Sequence, residues 1–117
     1  MKPLLPLALL VTSLPLMAAQ PDMLPVKQIS LELARDIAMG AVEACRKDGF
    51  NVSVVVLDRA GNVQVALRDT LAARHTLEIA ERKAGMTIMS GIASGDFLAA
   101  RGDIRPELNH IDGLIVM

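Results

Sequence analysis

Residues 54–62 read Val-Val-Val-Leu-Asp-Arg-Ala-Gly-Asn, and this stretch decides the fold. The run from Asn51 to Leu57 is too rich in β-branched side chains for a helix, so we expect a mostly buried strand. Gly61 or Asn62 can adopt a positive φ, which predicts a hairpin loop over residues 58–62. Because this loop is only about five residues long, the next strand must be an antiparallel neighbour. Apolar and polar side chains alternate over residues 63–68, so that strand is predicted to be half exposed.

Helical patterns lie on both sides of the predicted hairpin. Ser30 is a good N-cap and Gly49 a left-handed stop, which together predict a helix of about four or five turns. Its expected apolar stripe consists of Leu33, Ile37, Ala41 and Ala44.

Two further helices are predicted after the hairpin. Thr76, as the expected N-cap, begins a run that ends at Ser90-Gly91. Its stripe is Leu77, Ala80, Ala84 and Ile88. Ser94 is expected to cap a short third helix, which Gly102 and Pro106 close, and residues 114–117 have the character of a beginning strand. The sequence therefore predicts an α+β fold in which helices flank an antiparallel sheet, with the order α-β-β-α-α-β.

The N-terminus has the pattern of a secretory signal peptide. Lys2 supplies a positive charge, residues 4–16 are largely apolar, and Met17-Ala18-Ala19 gives a small-residue end. A membrane anchor is the competing interpretation, but three prolines interrupt a stretch that is already short for a membrane span. We expect a signal peptide over residues 1–19, a linker over 20–28 and one domain over 29–117, with cleavage after Ala18 as an alternative. The expected location is periplasmic or secreted.

Composition excludes some classes of function. Loss of Lys2 with the signal lowers the basic residues from 12 to 11 against 13 acidic ones, so the mature chain is mildly acidic. Such a balance disfavours nucleic-acid binding, and the absence of Trp and Tyr removes stacking platforms for bases. Cys45 is the single cysteine, so no intrachain disulfide can form, and we expect it to be a small buried apolar residue.

Five short motifs follow one another along the chain. They are Leu31-Glu32-Leu33-Ala34, the hairpin stretch 54–62, Leu67-Arg68-Asp69, His75-Thr76-Leu77 and Ala80-Glu81-Arg82-Lys83-Ala84. In this order and spacing they resemble the GlcG/HbpS-type haem-binding family, to which the PduO C-terminal domain is related. The resemblance covers about residues 29–117. It implies an α+β fold, self-association into a homo-oligomer, and binding of haem or a related tetrapyrrole.

The chain departs from the family pattern in two places. The family usually carries a Gly-rich loop before His-Thr, whereas residues 70–74 read Thr-Leu-Ala-Ala-Arg and bring side chains close to any ligand there. The family also continues beyond the segment 111–117 into further strands and a helix. The sequence is therefore expected to be C-terminally incomplete, with an open sheet edge.

The resemblance and the chemistry of the side chains suggest a cofactor site. His75 is the candidate axial ligand of haem iron, with capping or loop orientation as the alternative role. Arg68 and Arg74 are candidate partners of the propionates, and either could equally be solvated surface. Thr76 lies next to His75, and Lys83 matches a lysine characteristic of the family. His75 and Glu78 could also hold a divalent metal, but two ligands make a weak site.

The function expected from these features is non-covalent haem binding by an exported protein, in haem handling or redox sensing. No Cys-x-x-Cys-His attachment motif, nucleophile elbow or phosphate-binding loop is present in the sequence, so an enzyme is the weaker expectation. A non-haem small-molecule-binding or structural oligomeric module is the first alternative. A haem-degrading enzyme is the second. No nucleic acid and no stable membrane span are expected.

Overall fold

The computed structural model describes residues 22–117. The signal peptide predicted over residues 1–19 lies outside the described residues, as does the start of the predicted linker. The elements in chain order are α1 (Leu31–Lys47), β1 (Ser53–Leu57), β2 (Val63–Arg68), α2 (Thr76–Ser90), α3 (Ser94–Arg101), a 3-10 turn (Gly102–Ile104) and α4 (Arg105–Leu108). Helices flank an antiparallel sheet, so the predicted α+β class is confirmed. Among the helices described, none is long and apolar enough to cross a bilayer.

Helix α1 begins and ends where the sequence predicts. The Ser30 hydroxyl accepts a hydrogen bond from the backbone N–H of Leu33 at 3.2 Å, which satisfies one of the free amides of the first turn. At the other end Gly49 has a φ of +83° and its N–H reaches the Arg46 carbonyl oxygen. A residue with a side chain would be strained in that conformation.

The buried face of α1 differs from the predicted stripe. Ala34, Ala38 and Val42 are buried, while Leu33 and Ile37 remain 54% and 49% exposed. The helix packs against both strands, and its small buried side chains allow a close approach. The larger apolar residues are therefore turned toward solvent. Cys45, expected to be buried, is half-buried.

Strands β1 and β2 form the predicted antiparallel hairpin. The register pairs Ser53 with Arg68 and Val56 with Val65, and an irregularity follows at Leu57. In the loop, the Asp58 carboxylate accepts hydrogen bonds from the backbone N–H groups of Ala60 and Asn62, both at 2.8 Å, and from the Asn62 amide at 3.0 Å. Gly61 has a φ of +87°. The predicted loop chemistry is thus observed.

The C-terminal third packs on α2. Met86 of α2, Phe97 of α3 and Val116 form the main apolar cluster. Met86 lies in this cluster, whereas Ile88 of the predicted stripe is 42% exposed. Ser94 is the first residue of α3 and does not cap it, and the chain stays helical beyond Gly102.

The predicted last strand does not form. Residues 114–117 are described but have no strand partner, and within residues 22–117 the sheet has two strands. The Asn109 side chain holds this segment by accepting a hydrogen bond from the Val116 N–H at 2.7 Å. The segment also crosses α2 at Gly85, where an added Cβ would lie 2.6 Å from the Gly113 carbonyl oxygen. Packing therefore fixes residues 113–117 without a sheet ladder.

Candidate functional site

Four of the five predicted cofactor residues lie on or beside the segment between β2 and α2. We call residues 69–75 the β2–α2 loop. Its first residue lies just beyond β2, where the Asp69 N–H donates to the Val52 carbonyl oxygen at 3.0 Å and so extends the hydrogen bonding of the hairpin by one residue. The chain then turns, and the Ala72 N–H donates back to the Asp69 carbonyl oxygen at 3.0 Å. Two buried residues, Asp69 and Ala72, thus face inward in a loop whose other side chains are exposed.

An ion pair anchors the start of the loop. The Asp69 carboxylate accepts hydrogen bonds from Nε and Nη2 of Arg46 at 2.7 and 2.8 Å, and from the Thr70 N–H at 2.7 Å. The Asp69 side chain is 4% exposed and that of Arg46 52%. Hydrogen bonding by the Arg46 guanidinium lowers the pKa of Asp69 to about 2, against the opposing effect of burial. The same pair raises the pKa of Arg46 above its ordinary value.

Arg68 holds the middle of the loop. Its Nη1 donates to the Ala72 carbonyl oxygen at 2.6 Å. Ala72 itself is 5% exposed and packs inward. The guanidinium predicted to bind a propionate is therefore hydrogen-bonded to the loop backbone, although the side chain as a whole remains exposed.

Thr76 does not cap α2, contrary to the prediction. The N-cap is His75 and Thr76 is the first helical residue. The Thr76 hydroxyl donates to the Ala73 carbonyl oxygen at 2.7 Å and lies 2.7 Å from the Ser53 hydroxyl. A hydroxyl has one proton, so Ser53 must be the donor to Thr76. Thr76 therefore ties the end of the loop to the start of β1.

His75 and Arg74 are exposed at the end of the loop. In the described part of the chain, His75 makes no side-chain capping bond, and its backbone has helical φ and ψ angles. Leu71 is 79% exposed in the same loop. Lys83 is half-buried on α2, about two turns after Thr76. The loop thus presents an imidazole, a guanidinium and an apolar side chain to solvent.

A separate cavity of about 340 Å³ lies between the hairpin loop, α2 and the C-terminal segment. Its lining residues are Leu57, Gly61, Glu78, Glu81, Arg82, Gly85 and Gly113. Arg82 pairs with Glu78 at 3.0 Å, one turn apart on the helix, as the sequence spacing predicts. None of the five predicted cofactor residues lines this cavity.

The structure does not complete a metal site around His75 and Glu78. Over residues 22–117, no group of three or more His, Cys, Asp or Glu side chains is placed to hold a metal ion. His110 is exposed in the turn after α4. The two-ligand hypothesis therefore gains no third ligand from the described residues.

Sequence reasoning missed the role of Arg46 and Asp69. Arg46 has the position of a basic residue that complements the C-terminal end of a helix, and its partner is 23 residues away in sequence. Asp69 directly after a strand is the one available signal, because an acidic residue at a strand end needs a partner if the loop buries it. That signal does not identify the partner.

Comparison with known proteins identifies the family to which the chain belongs. The family model described as "Haem degrading protein HbpS-like" matches residues 29–116. A crystal structure of HbpS superposes with a TM-score of 0.75 at 38% identity, and the match covers 86% of this chain and 71% of that one. A Streptomyces reticuli HbpS with two Glu-to-Asp substitutions gives a TM-score of 0.75 at 34% identity, covering 90% and 71%. A search of curated proteins gave no significant match. Because the family model spans most of the chain and both structures agree with it, the chain belongs to the HbpS-like family.

Proposed function

We propose that this chain binds haem or a related tetrapyrrole non-covalently, outside the cytoplasm, as a self-associating protein. The observation that carries the proposal is the match over residues 29–116 to a family whose description names haem. Haem handling and redox sensing are the roles that such binding would serve. The single cysteine cannot form a Cys-x-x-Cys-His attachment, which makes any haem non-covalent.

His75 is the proposed axial ligand. A neutral imidazole is a standard haem-iron ligand, and this one is exposed without a capping bond in the described part of the chain. Hydrogen bonds on both sides hold the loop that carries it. When bound, haem would supply a redox-active iron. The chain's own contribution is to hold the imidazole at one position and keep it accessible.

Arg74 is the proposed propionate partner. It is exposed next to His75, and a guanidinium binds a carboxylate with two parallel hydrogen bonds. Arg68 is less suited, because its Nη1 is hydrogen-bonded to the Ala72 carbonyl oxygen. Lys83 is a further cationic candidate on α2, and Leu71 offers apolar surface to the macrocycle. The available side chains therefore fit a haem on an open surface.

Haem titration tests the ligand assignment. The chain lacks Trp and Tyr, so the apoprotein absorbs little near the usual protein band and added haem is followed cleanly. We expect a sharpened Soret band that His75→Ala removes or shifts, while His110→Ala, the matched control in an exposed turn, leaves it unchanged. Circular dichroism must first show intact helices in both variants. An unchanged Soret band in folded His75→Ala protein would eliminate His75 as the ligand.

Haem degradation is the second candidate function, favoured by the words of the family description. A binding protein retains the haem spectrum under a reductant, whereas a degrading enzyme loses the Soret band as a product accumulates. Following both signals over time with ascorbate and air separates the two functions. Free haem under the same conditions is the control.

Binding of a small non-haem molecule is the remaining alternative, and the cavity beside α2 supports it. Two glutamates and one arginine line this cavity, and its volume of about 340 Å³ is at the small end for ligand pockets. A spectrum that does not respond to haem, in protein shown to be folded, would favour this alternative.

Export is proposed from the sequence of residues 1–19 alone. N-terminal sequencing of material from the periplasmic or secreted fraction should find a start at or near Gln20. Intact Met1 in the membrane fraction would contradict the cleavage.

Self-association is proposed from the apolar residues left exposed along α1. Leu33 and Ile37, one turn apart on the same face of α1, are 54% and 49% exposed, and exposed apolar side chains of this kind are commonly covered in an oligomer. Light scattering over a concentration series is the test, with Leu33→Glu and Ile37→Glu expected to lower the mass. A folded monomer at every concentration would contradict the proposal.

A further inference from the structure

The β2–α2 loop is held by a residue that is 23 positions away from it in sequence. Arg46 is in the last turn of α1, and both of its hydrogen bonds to Asp69 go to the one acidic side chain that the loop buries. Asp69 is 4% exposed on its side chain, so water does not replace the guanidinium without moving the loop.

The Arg46–Asp69 ion pair determines which side chains of the loop face inward and which face outward. The Asp69 carbonyl oxygen accepts a hydrogen bond from the Ala72 N–H, and Ala72 is buried in the turn that this bond closes. With residues 69 and 72 turned inward, Leu71, Arg74 and His75 are turned outward. A displaced Asp69 would release Ala72 and change where the imidazole lies.

The composition of the loop makes this anchoring effective. Residues 70–74 contain no glycine, so their backbone has fewer accessible conformations than a Gly-rich loop would have. Hydrogen bonds from Arg68 and Thr76 hold the same turn from two other sides. A loop that is ordered before its ligand arrives loses less conformational entropy on binding.

We propose that Arg46 is a positioning residue for the ligand-binding loop, acting through Asp69 to fix His75 and Arg74 in the orientation that receives haem. The proposal rests on the proposed function for its ligand, while the anchoring itself is independent of any ligand. Arg46 acts only through the loop and makes no contact with the haem.

Arg46→Gln tests the proposal, because it removes the charge and the bidentate geometry and leaves a shorter, neutral polar side chain. Arg101→Gln is the matched control, since Arg101 pairs with Asp103 at 3.2 Å on the surface, where both side chains are more than half exposed. Arg46→Lys is the conservative variant and should restore part of the effect through its charge alone.

The first measurement is amide hydrogen exchange without haem. We expect Arg46→Gln to speed exchange over residues 70–76 by about tenfold, with Arg101→Gln unchanged. The hairpin loop, residues 58–62, serves as an internal reference. Unchanged exchange over residues 70–76 would overturn the anchoring, whatever haem does.

The second measurement is haem affinity together with the axial-ligand signature in the electron paramagnetic resonance spectrum. Arg46→Gln should weaken binding about tenfold and broaden the signature, and Arg46→Lys should recover part of both. In a His75→Ala background Arg46→Gln should add little, because the two changes remove the same interaction. Faster exchange with unchanged affinity and signature overturns the positioning role. An unmodified chain that does not bind haem overturns the proposed function and the positioning role with it, while the exchange result still decides the anchoring.

Discussion

Two loops of this molecule begin with an aspartate and are held in different ways. In the hairpin loop, residues 58–62, the Asp58 carboxylate binds partners no more than four residues away. In the β2–α2 loop, residues 69–75, the Asp69 carboxylate binds a guanidinium 23 residues earlier in the chain. Both aspartates have a pKa below the ordinary value, and that of Asp69 is about 2.

The hairpin loop is held by hydrogen bonds within itself, whereas the β2–α2 loop also depends on residues that are distant in sequence. The hairpin loop carries its own acceptor, its own donors and a glycine with positive φ, so a peptide of this sequence already favours the turn. The β2–α2 loop also has local hydrogen bonds, but it has no glycine between residues 70 and 74, and its two ends are held in addition by Arg46 of α1 and Ser53 of β1. Only the second loop should lose its shape when a distant element is changed.

The largest expected effect is that of Asp69→Ala. It removes the buried carboxylate that pairs with Arg46 and leaves the Thr70 N–H without its acceptor in the protein. We expect a clear fall in the midpoint of urea unfolding, larger than for Asp58→Ala, whose loop donors can turn to water. Equal losses for the two variants would show that the β2–α2 loop does not depend on its aspartate more than the hairpin loop does.

Acid should act on the same loop. Because the folded pKa of Asp69 is about 2 and its ordinary value 3.8, the pair contributes its full stability above about pH 4. That contribution is lost as the pH falls from about 4 toward 2, since the unfolded state takes up the proton first. Unfolding free energies measured in urea along this range should fall more steeply for the unmodified protein than for Asp69→Asn.

The arginine gives a second check on the acid effect. In Arg46→Gln the carboxylate loses the hydrogen bond that lowers its pKa, so the titration of Asp69, followed by carboxyl NMR signals, should move upward toward the ordinary value. The Asp58 titration should stay where it is, because its partners are within its own loop.

Features that depend on sequence neighbours could be predicted from the sequence, and features that depend on distant residues could not. Ser30, Gly49 and the hairpin act through neighbours, and their roles were predictable from spacing. The buried face of α1 was not predictable in this way. The helix packs closely against the hairpin, so the small Ala34 and Ala38 are buried there and the larger Leu33 is not. The shape of the β2–α2 loop depends on Arg46 and Ser53, whose nearness to it only the assembled fold establishes. His75 could be found as a candidate, but not how it is held.

Gly61→Ala should produce an intermediate effect, confined to the hairpin loop. At a φ of +87° the new Cβ is strained, and we expect a loss of about 1 kcal/mol in unfolding free energy. Gly40→Ala is the matched control, because Gly40 is inside α1 with nothing within 4 Å of an added Cβ. That change should stabilise the protein by about 0.5–1 kcal/mol. A loss at both positions would mean that conformation is not the cause.

The smallest expected effect is that of Asn62→Ala. The change removes one hydrogen bond of 3.0 Å, from the Asn62 amide to Asp58, while the backbone N–H of residue 62 keeps its own bond to the same carboxylate at 2.8 Å. Because this bond is exposed and water can replace it, we expect a loss of about 0.5 kcal/mol or less in unfolding free energy. The pKa of Asp58 should rise, since the Asn62 amide is the main cause of its lowering. Amide exchange should quicken in residues 58–62 and remain unchanged in residues 70–76. Faster exchange in both loops would show that they open together as one cooperative unit. It would contradict the view that one loop is held locally and the other by a distant arginine.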